Sequence, residues 1–382
     1  MDFNFTPEEE ALRRRVRKVA VEELEPLAPE ADESYEVTPQ VTQILAREGL
    51  FRYIAPEEYG GHGIRVTNIC IVREELARAC AQADTTFAMN GLGSYPTVLA
   101  GSEEQKRRYL PPLASGEKLG SFALTEPDGG SDVAAMKTIA VRDGDSYVLN
   151  GMKRFVSQTG AAHTYTVFAK TDPSARSRGI SAFVVEEGTP GFSTDRRLRV
   201  LAPHAIGEPL FEDCRIPVSN LLGKEGDGMK IALSTLDMFR TTVGAAVLGL
   251  ALAAYDEAIS YSQHRFAFSQ PLAEFQATQF KIADMATSID AARLLIYRAA
   301  WLKDQGLPNQ HETSMAKLFA SEAAVHAASE GMKIFGSYGY STEYPAQRYL
   351  RDAHSLRVVE GTSNIQKLII SGISLGDNEN RV

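Results

Sequence analysis

The sequence predicts an α+β protein in three parts: an N-terminal helical domain, a small central β-domain and a C-terminal four-helix-bundle-like domain. Apolar residues recur at helical spacing up to about Gly116, the period changes to two from Lys118, and it becomes helical again beyond Gly228. Segregated runs of helices and strands are typical of this fold class. We place the domains at residues 1–116, 117–225 and 226–382, since 382 residues exceed one small domain.

The N-terminal part begins with a capping box at residues 6–9, Thr-Pro-Glu-Glu, which predicts a helix start. Its apolar face contains Leu12, Val16, Val19, Ala20 and Leu24. We expect Pro26 and Pro29 to end this helix. Further helices are predicted from Pro39 to Gly49, over residues 67–82, and from a second capping signature at residues 102–105 until Pro111 and Pro112 end it.

The central part contains short segments with β-period and Gly or Pro between them. Residues 138–142 and 147–150 flank Asp143-Gly144, which predicts a hairpin, and residues 164–169, 180–186 and 209–213 are further strands. In the C-terminal part, residues 231–262, 273–305 and 312–335 predict long helices, and residues 364–373 a last one.

Composition excludes several classes of function. The formal net charge of −9 disfavours binding to nucleic acid or anionic membranes. Cys70, Cys80 and Cys214 form no CxxC pair, so neither a disulfide framework nor a zinc site is indicated. No apolar run approaches the ~20 residues of a membrane span, and the acidic N-terminus resembles no targeting peptide. We therefore expect a cytoplasmic protein that does not insert into membranes.

The segment from Phe122 to Asp132 reads Phe-Ala-Leu-Thr-Glu-Pro-Asp-Gly-Gly-Ser-Asp. Apolar residues up to Leu124 predict a strand end, and Thr125, the two glycines and Ser131 then supply hydrogen-bond donors. Backbone N–H groups in such a turn bind anions by donating hydrogen bonds to them. The pattern suits a flat ring with a pyrophosphate tail, as in a flavin, although an ordinary Gly-rich turn is equally consistent with it.

A second segment, residues 357–367, reads Arg-Val-Val-Glu-Gly-Thr-Ser-Asn-Ile-Gln-Lys. Val358 and Val359 predict a dry environment for Glu360, and desolvation raises a carboxyl pKa towards the range of a general base. The alternative is a helix N-terminal acid that interacts with the helix dipole.

Together, in this order and at this separation, the two segments resemble the acyl-CoA dehydrogenase family, from Phe3 to about Ser374. The resemblance implies that fold, bound FAD and Glu360 as the catalytic base. Phe155 and Ser157 occupy positions where the family often has Trp and Thr beside the flavin. The residues implied to contact FAD are Phe122, Leu124, Thr125, Gly130, Ser131, Phe155, Val156, Ser157, Arg265, Phe268, Gln276, Lys333, Gly336, Ser337, Thr362 and Asn364.

Some of these contacts cross a subunit boundary in the family, which implies a homo-oligomer and, by resemblance, a tetramer. Arg265 to Pro271 is similar to the family's Arg-x-x-Phe-Gly-x-Pro turn, with Ser269 in place of Gly. Lys333 and Ser337 also depart from the family pattern. Lys333 either pairs with phosphates or faces solvent.

The resemblance also implies substrate contacts from Ser131, Asp237, Arg240 and Gly361. For Asp237 and Arg240, an ordinary ion pair on the helix surface is the alternative. Residues 84–93 are implied to line the far end of the acyl site, although their small side chains equally fit close helix packing. Phe239 occupies a position where some branches carry the catalytic acid, so Glu360 has no rival.

The implied reaction is α,β-dehydrogenation of an acyl-CoA thioester to the 2-enoyl-CoA. Glu360 takes the α-proton, the β-hydrogen leaves as hydride to flavin N5, and an electron-transfer flavoprotein receives the electrons. Three alternatives stay open: a flavin oxidase or monooxygenase on the same fold, a dehydrogenase of a carrier-protein thioester, and a non-catalytic interaction protein.

Overall fold

The computed structural model describes residues 4–376 and has twelve α-helices and twelve β-strands in that range. The helices are α1 Pro7–Val19, α2 Ala28–Ala31, α3 Pro39–Arg47, α4 Val66–Ala79, α5 Ala81–Ala100, α6 Glu103–Ser115, α7 Gly228–His264, α8 Gln276–Asp304, α9 Gln310–Phe335, α10 Ser337–Tyr340, α11 Ala346–Leu356 and α12 Ser363–Ser374. The order of helices, strands and helices confirms the predicted fold class.

Residue contacts divide the chain into two compact units. The first unit comprises the described parts of Met1–Asp32, Val66–Asp84 and Arg240–Val382. The second comprises Glu33–Arg65 and Thr85–Phe239.

In the first unit, the Thr6 side chain caps α1 and Glu9 completes the predicted capping box. The expected helix end at Pro26 and Pro29 is wrong, because helical structure continues to Ala31 through π and 3₁₀ turns. Each proline lies in the first turn of a new helical segment, where its missing N–H leaves no bond unmade.

The C-terminal helices of the first unit agree with the sequence prediction. The helix α9 packs against α8, α11 and α12, and its small residues, among them Ala320, Ala324 and Ala327, are buried in those contacts. The helices α10 and α11 were not predicted. Both follow Gly336, whose backbone conformation ends α9.

The second unit contains ten strands in the described range. They are β1 Gly120–Ala123, β2 Ile139–Asp143, β3 Ser146–Met152, β4 Val156–Ser157, β5 Thr164–Lys170, β6 Ile180–Glu186, β7 Phe192–Ser193, β8 Ile206–Gly207, β9 Leu210–Pro217 and β10 Leu221–Leu222. The eight-stranded sheet has the order β10-β6-β5-β2-β3-β9-β7, with β1 parallel to β5. The pair β4 and β8 forms a separate ribbon.

Both faces of this sheet are covered by apolar side chains. Tyr165 and Val167 of β5 pack in one core cluster, whereas Phe168 packs in the other. The predicted hairpin is present, but Asp143 pairs with Ser146, so its two-residue loop is Gly144-Asp145. Gly144 has φ 60°, which glycine adopts without strain.

The prediction that Pro111 and Pro112 end α6 is wrong, since the helix continues to Ser115 and stops at Gly116 with φ 77°. Tyr109, Leu110 and Leu113 of this helix are buried. Their packing outweighs the backbone hydrogen bonds that the two prolines remove.

One helix in the described range is long and apolar enough to cross a membrane, Gly228–His264, but 94% of its most apolar window is buried inside the protein. Cys70, Cys80 and Cys214 are buried free thiols. Within residues 4–376, no group of three or more His, Cys, Asp or Glu side chains is placed to hold a metal ion.

Candidate active site

The predicted flavin segment of the second unit begins at the end of β1. Phe122 is half-buried, with its ring centroid 5.0 Å from that of Phe168, and Leu124 is buried in the same core cluster. After Leu124 the chain turns sharply, because the backbones of Glu126 and Gly129 exchange hydrogen bonds of 3.1 and 3.2 Å. The first residues of the segment are therefore held by the core, and the turn that follows them lies at the surface.

The outer side offers hydrogen-bond donors. Thr125 is half-buried, whereas Gly130 and Ser131 are exposed. The N–H groups of Gly130 and Ser131 have no acceptor in the described part of the chain, and a Cβ at Gly130 would meet no atom within 4 Å. The segment fits a polar or anionic ligand such as a flavin pyrophosphate.

A buried ion pair that the sequence did not reveal holds this segment. Lys153 Nζ lies 2.6 Å from Glu126 Oε1 and donates to the Leu124 carbonyl at 3.2 Å. The N–H of Arg154 donates to the Thr125 carbonyl at 2.8 Å. Burial lowers the pKa of Lys153 to about 8, and Glu126 opposes that decrease.

Phe155 follows this anchor in a strained conformation. Its φ is 56°, unusual for a bulky residue, and its side chain is 54% exposed, with the Arg154 guanidinium 5.1 Å from the ring centroid. Such strain costs ~1–3 kcal/mol and clusters at functional sites. Val156, the next residue, is buried and pairs with Gly207.

Ser157 contacts a histidine that sequence reasoning missed. His204 Nδ1 lies 2.9 Å from the Ala202 carbonyl, which requires the proton on Nδ1 and leaves Nε2 as an acceptor. Ser157 Oγ lies 3.4 Å from this Nε2, so its hydroxyl donates to His204 and its lone pairs are free to accept. Burial lowers the pKa of His204, which keeps the ring neutral at pH 7.

Asp237 and Phe239 lie on the part of α7 that belongs to the second unit. After the effect of burial, the Asp237 carboxylate further raises the pKa of Tyr95. The ring of Phe239 is buried, lies 5.9 Å from that of Tyr95, and is so close to Gly91 that a Cβ there would lie 2.7 Å from its atoms. The small residue at position 91 is thus explained by close packing.

In the first unit, Glu360 lies in the loop between α11 and α12. It has φ 54°, and its Oε2 atom is buried without a hydrogen-bond partner among the described residues. Burial raises the pKa of Glu360 to about 7, although the charges of Arg73, Lys317 and Arg240 oppose the increase. A carboxyl group with this pKa serves as a general base at neutral pH.

The reason given above for this dry environment is wrong. Val358 and Val359 are 62% and 42% exposed, so they do not desolvate Glu360. The left-handed conformations of Glu360 and Gly361 (φ 99°) reverse the chain there. The two valines lie on the outside of the turn and the carboxylate lies inside.

Cationic groups surround this turn. Arg73 forms a buried bidentate pair with Asp84, at 2.8 and 2.9 Å, and donates to Thr242 Oγ1 at 3.0 Å. Arg240, predicted to contact substrate, is buried and donates from Nε to the Glu360 carbonyl at 3.1 Å. Lys317 is fully buried and donates to the Gly361 carbonyl at 2.9 Å.

The residues after Glu360 begin α12. The Thr362 side chain is the N-cap and accepts from the N–H of Ile365 at 3.3 Å. Asn364 is exposed. Gln366 is buried and donates to the Gly361 carbonyl at 3.0 Å. Thr362 thus has a structural function that is compatible with a ligand contact.

Residues 265–271 form a small hairpin in which β11 Phe266–Ala267 pairs with β12 Gln270–Pro271. Both loop residues, Phe268 and Ser269, have positive φ, and Phe268 is 93% exposed. Arg265 is exposed with its guanidinium 5.5 Å from the Tyr338 ring centroid. Gln276, the first residue of α8, is exposed too.

Lys333 is exposed to solvent, as one of its two predicted alternatives states, and it also forms an ion pair with Glu330, which in turn pairs with Lys281. Gly336 has φ 61° and an open space where a side chain would be, and Ser337, at the start of α10, is exposed. These two positions present backbone and hydroxyl groups at the surface of the first unit.

Three family domains match the chain: the acyl-CoA dehydrogenase N-terminal domain over residues 6–117, the middle domain over residues 121–214 and the C-terminal domain over residues 226–374. The chain belongs to the acyl-CoA dehydrogenase family. Family members are flavoproteins with oxidoreductase activity, so this acyl-CoA dehydrogenase is an enzyme of that type.

Curated relatives are similar over almost the whole chain. An acyl-CoA dehydrogenase of Bacillus subtilis is 42% identical over 98% of this chain and 100% of the relative. The short-chain specific acyl-CoA dehydrogenase of Clostridium acetobutylicum is 40% identical over 97% of this chain and 99% of the relative.

Solved structures share the fold. Butyryl-CoA dehydrogenase of Megasphaera elsdenii has a TM-score of 0.94 and 39% identity, and covers 98% of this chain and 100% of its own. A chain in the structure described as the electron transferring flavoprotein of Acidaminococcus fermentans has a TM-score of 0.95 and 41% identity, with the same coverage. The prolyl acyl carrier protein oxidase AnaB has a TM-score of 0.91 and 29% identity, covering 97% and 100%.

Proposed function

We propose that this acyl-CoA dehydrogenase removes the α-proton of an acyl-CoA thioester with Glu360 and forms the 2-enoyl-CoA with the help of FAD. The observation that carries the proposal is the Glu360 carboxyl, whose burial raises its pKa to about 7 in a strained turn. Buried acids with perturbed pKa values are typical of catalytic sites.

The turn also offers a group that would polarise the thioester. The α-proton of a thioester is weakly acidic, so its removal requires donors at the carbonyl oxygen. The backbone N–H of Glu360 has no acceptor within residues 4–376. This N–H is therefore available to the thioester oxygen, while the carboxylate of the same residue accepts the α-proton.

The residues proposed to hold FAD are those named from the sequence, in particular Thr125, Gly130 and Ser131 at the end of β1. Their free donors and open space fit a flavin, and the exposed, strained Phe155 offers an aromatic face to it. When bound, FAD would accept the β-hydrogen of the acyl chain as hydride. Ser157, whose proton is directed to His204, would present lone pairs to the ligand.

We propose a homo-oligomer, with an electron-transfer flavoprotein as the electron acceptor. An exposed apolar stripe runs along α8 and consists of Phe280, Leu294 and Trp301, which are separated by multiples of seven residues. Such a stripe favours a face that a second subunit covers in the assembled protein. Four subunits remain a prediction from the resemblance. The similarity to a chain in the structure described as the electron transferring flavoprotein of Acidaminococcus fermentans supports such a protein as the electron acceptor.

The names of the relatives favour a short acyl group. The Clostridium acetobutylicum relative is called short-chain specific, and the Megasphaera elsdenii structure is a butyryl-CoA dehydrogenase. The prolyl acyl carrier protein oxidase supports a carrier-protein thioester as the second candidate, at lower identity. The cytoplasmic location stays a prediction.

Anaerobic mixing of the purified protein with acyl-CoA thioesters of increasing length tests the proposal through flavin absorbance. We expect rapid bleaching by short acyl-CoA and slower bleaching by the matching carrier-protein thioester. The opposite order would favour the second candidate, and oxygen consumption without a flavoprotein acceptor would favour an oxidase. A purified protein that takes up no FAD would favour a non-catalytic interaction protein.

A further inference from the structure

The turn that carries Glu360 is held through its backbone carbonyls. Lys317 Nζ donates to the carbonyls of Arg357 at 3.3 Å and Gly361 at 2.9 Å. Arg240 Nε donates to the Glu360 carbonyl at 3.1 Å. These carbonyls lie outside any helix, and apart from the N–H of Ser363, which donates to the Arg357 carbonyl at 3.2 Å, side chains supply their hydrogen bonds.

The conformation of the turn requires such restraint. A non-glycine residue in the left-handed region costs ~1–2 kcal/mol and persists only where its surroundings fix it. Glu360 is such a residue, with φ 54°. Lys317 bridges the two ends of the turn, because it contacts the carbonyls of residues on either side of Glu360.

Lys317 is itself unusual. It is a fully buried lysine on α9, and no carboxylate lies within 4 Å of its ammonium group among the described residues. A buried cation without such a partner is unfavourable unless carbonyl dipoles and a nearby negative charge compensate it. Burial lowers the pKa of Lys317 to about 8, whereas the carboxylates of Glu360 and Glu322 favour its charged form.

Two of the other charges near Glu360, those of Arg73 and Arg357, have carboxylate partners. Arg73 is neutralised by its bidentate pair with Asp84. Arg357 pairs with Glu322 at 2.9 Å, and Ser363 donates to the same carboxylate at 2.8 Å. The charge of Lys317 is compensated only by carbonyls and by more distant carboxylates, and Glu360 is the first of these.

We propose that Lys317 is the positioning residue of Glu360: it holds the turn in its left-handed conformation, and its charge favours the ionised form of the carboxylate. The proposal rests on the proposed function of Glu360 as the base. It assigns to α9 an effect on catalysis that acts through Glu360.

Two variants test the proposal. Lys317→Met removes both, whereas Lys317→Gln removes the charge and keeps a donor for one carbonyl. We measure the rate of flavin bleaching by one accepted acyl-CoA against pH. In both variants the inflection of the parent near pH 7 should move up by about one unit or more, the effect of losing a nearby opposite charge. Acyl-CoA binding should persist, and the rate at pH 7 should fall by about 5-fold or more, since a smaller fraction of the base is then ionised.

Lys106→Met, which removes a half-buried lysine of α6 paired with Glu103, serves as the control for loss of one lysine, and its inflection should stay at that of the parent. If the inflection of any soluble Lys317 variant also stays there, the proposal is overturned, even when the stability of that variant is reduced. A single soluble Lys317 variant is enough for this decision. A parent protein without an inflection near pH 7 would instead contradict the function proposed for Glu360.

Discussion

Lys153 and Glu126 form an ion pair, with 2.6 Å between Nζ and Oε1, and both side chains are buried. Glu126 also accepts from the backbone N–H of Thr138 at 3.1 Å and from that of Lys137, and Lys153 donates to the Leu124 carbonyl. The pair therefore connects the end of β1 with the segment that contains Phe155 and Ser157.

We predict that Lys153→Met destabilises the protein by ~3–5 kcal/mol, because it leaves a buried carboxylate without its cation. The double variant with Glu126→Gln should lose less than the two single changes added together. Urea unfolding of the four proteins measures this coupling. Lys137→Met, which breaks an exposed pair with Asp128, should have little effect. Additive losses would contradict the coupling.

The rate of flavin bleaching at limiting acyl-CoA should rise with pH and level off above about 7. Below the pKa of Glu360 its carboxyl group is protonated and accepts no proton. The His204→Gln variant should keep this inflection, since the lowered pKa of His204 places its titration at lower pH. A bleaching rate that does not change between pH 6 and 8 would exclude Glu360 as the titrating base.

The same pKa has a consequence for stability. The pKa of Glu360 is raised in the folded protein from its ordinary value of 4.5 to about 7. Between these values the folded chain holds a proton that the unfolded chain releases, so this group makes the protein less stable as pH rises through that window.

Arg265→Ala should weaken FAD binding by about 10-fold or more, as expected for loss of one charge-assisted hydrogen bond of ~1.5–3 kcal/mol. Titration of the apo-protein with FAD, followed by flavin fluorescence, gives the Kd. Arg298→Ala on α8 removes the same charge from an exposed pair with Glu312 and is the control. Equal Kd values for the two variants would show that Arg265 does not contribute to FAD binding and contacts only Tyr338.

Trp301→Glu should shift the protein to smaller assemblies, because it places a charge in the exposed apolar stripe of α8. Native mass spectrometry measures the distribution. Gln305→Glu adds the same charge next to that stripe, at an exposed position, and should leave the assembly unchanged. A parent protein that is already monomeric would contradict the proposed oligomer.

Most of the fold could be predicted from local pattern. The periodicity located the long helices because each buries one face over many turns, as Met285, Ile289 and Ile296 do in α8. Two of the failures occurred at prolines. Pro111 and Pro112 read as a helix end, yet Leu110 and Leu113 keep the helix packed around them.

Only part of the candidate site could be predicted from the sequence. Glu360 stands in a recognisable motif, whereas its pKa depends first on burial and then on the charges of Arg73, Lys317, Arg240 and Asp84, which come from distant parts of the sequence. In the sequence, each of these residues is a charged residue within a helix that proves to be buried. A charged residue in a helix indicates a functional site only once its burial is known, because charged residues are also typical of a solvated helix face.

The most direct test of the account is Glu360→Gln. This change keeps the shape of the side chain and the backbone N–H but removes the proton acceptor, so acyl-CoA should still bind to the protein. Stopped-flow bleaching of the flavin by one accepted acyl-CoA should then be slower than in the parent by at least ~10²–10⁴-fold. A Gln variant that bleaches at nearly the parent rate would show that Glu360 is only a structural acid near a helix N-terminus.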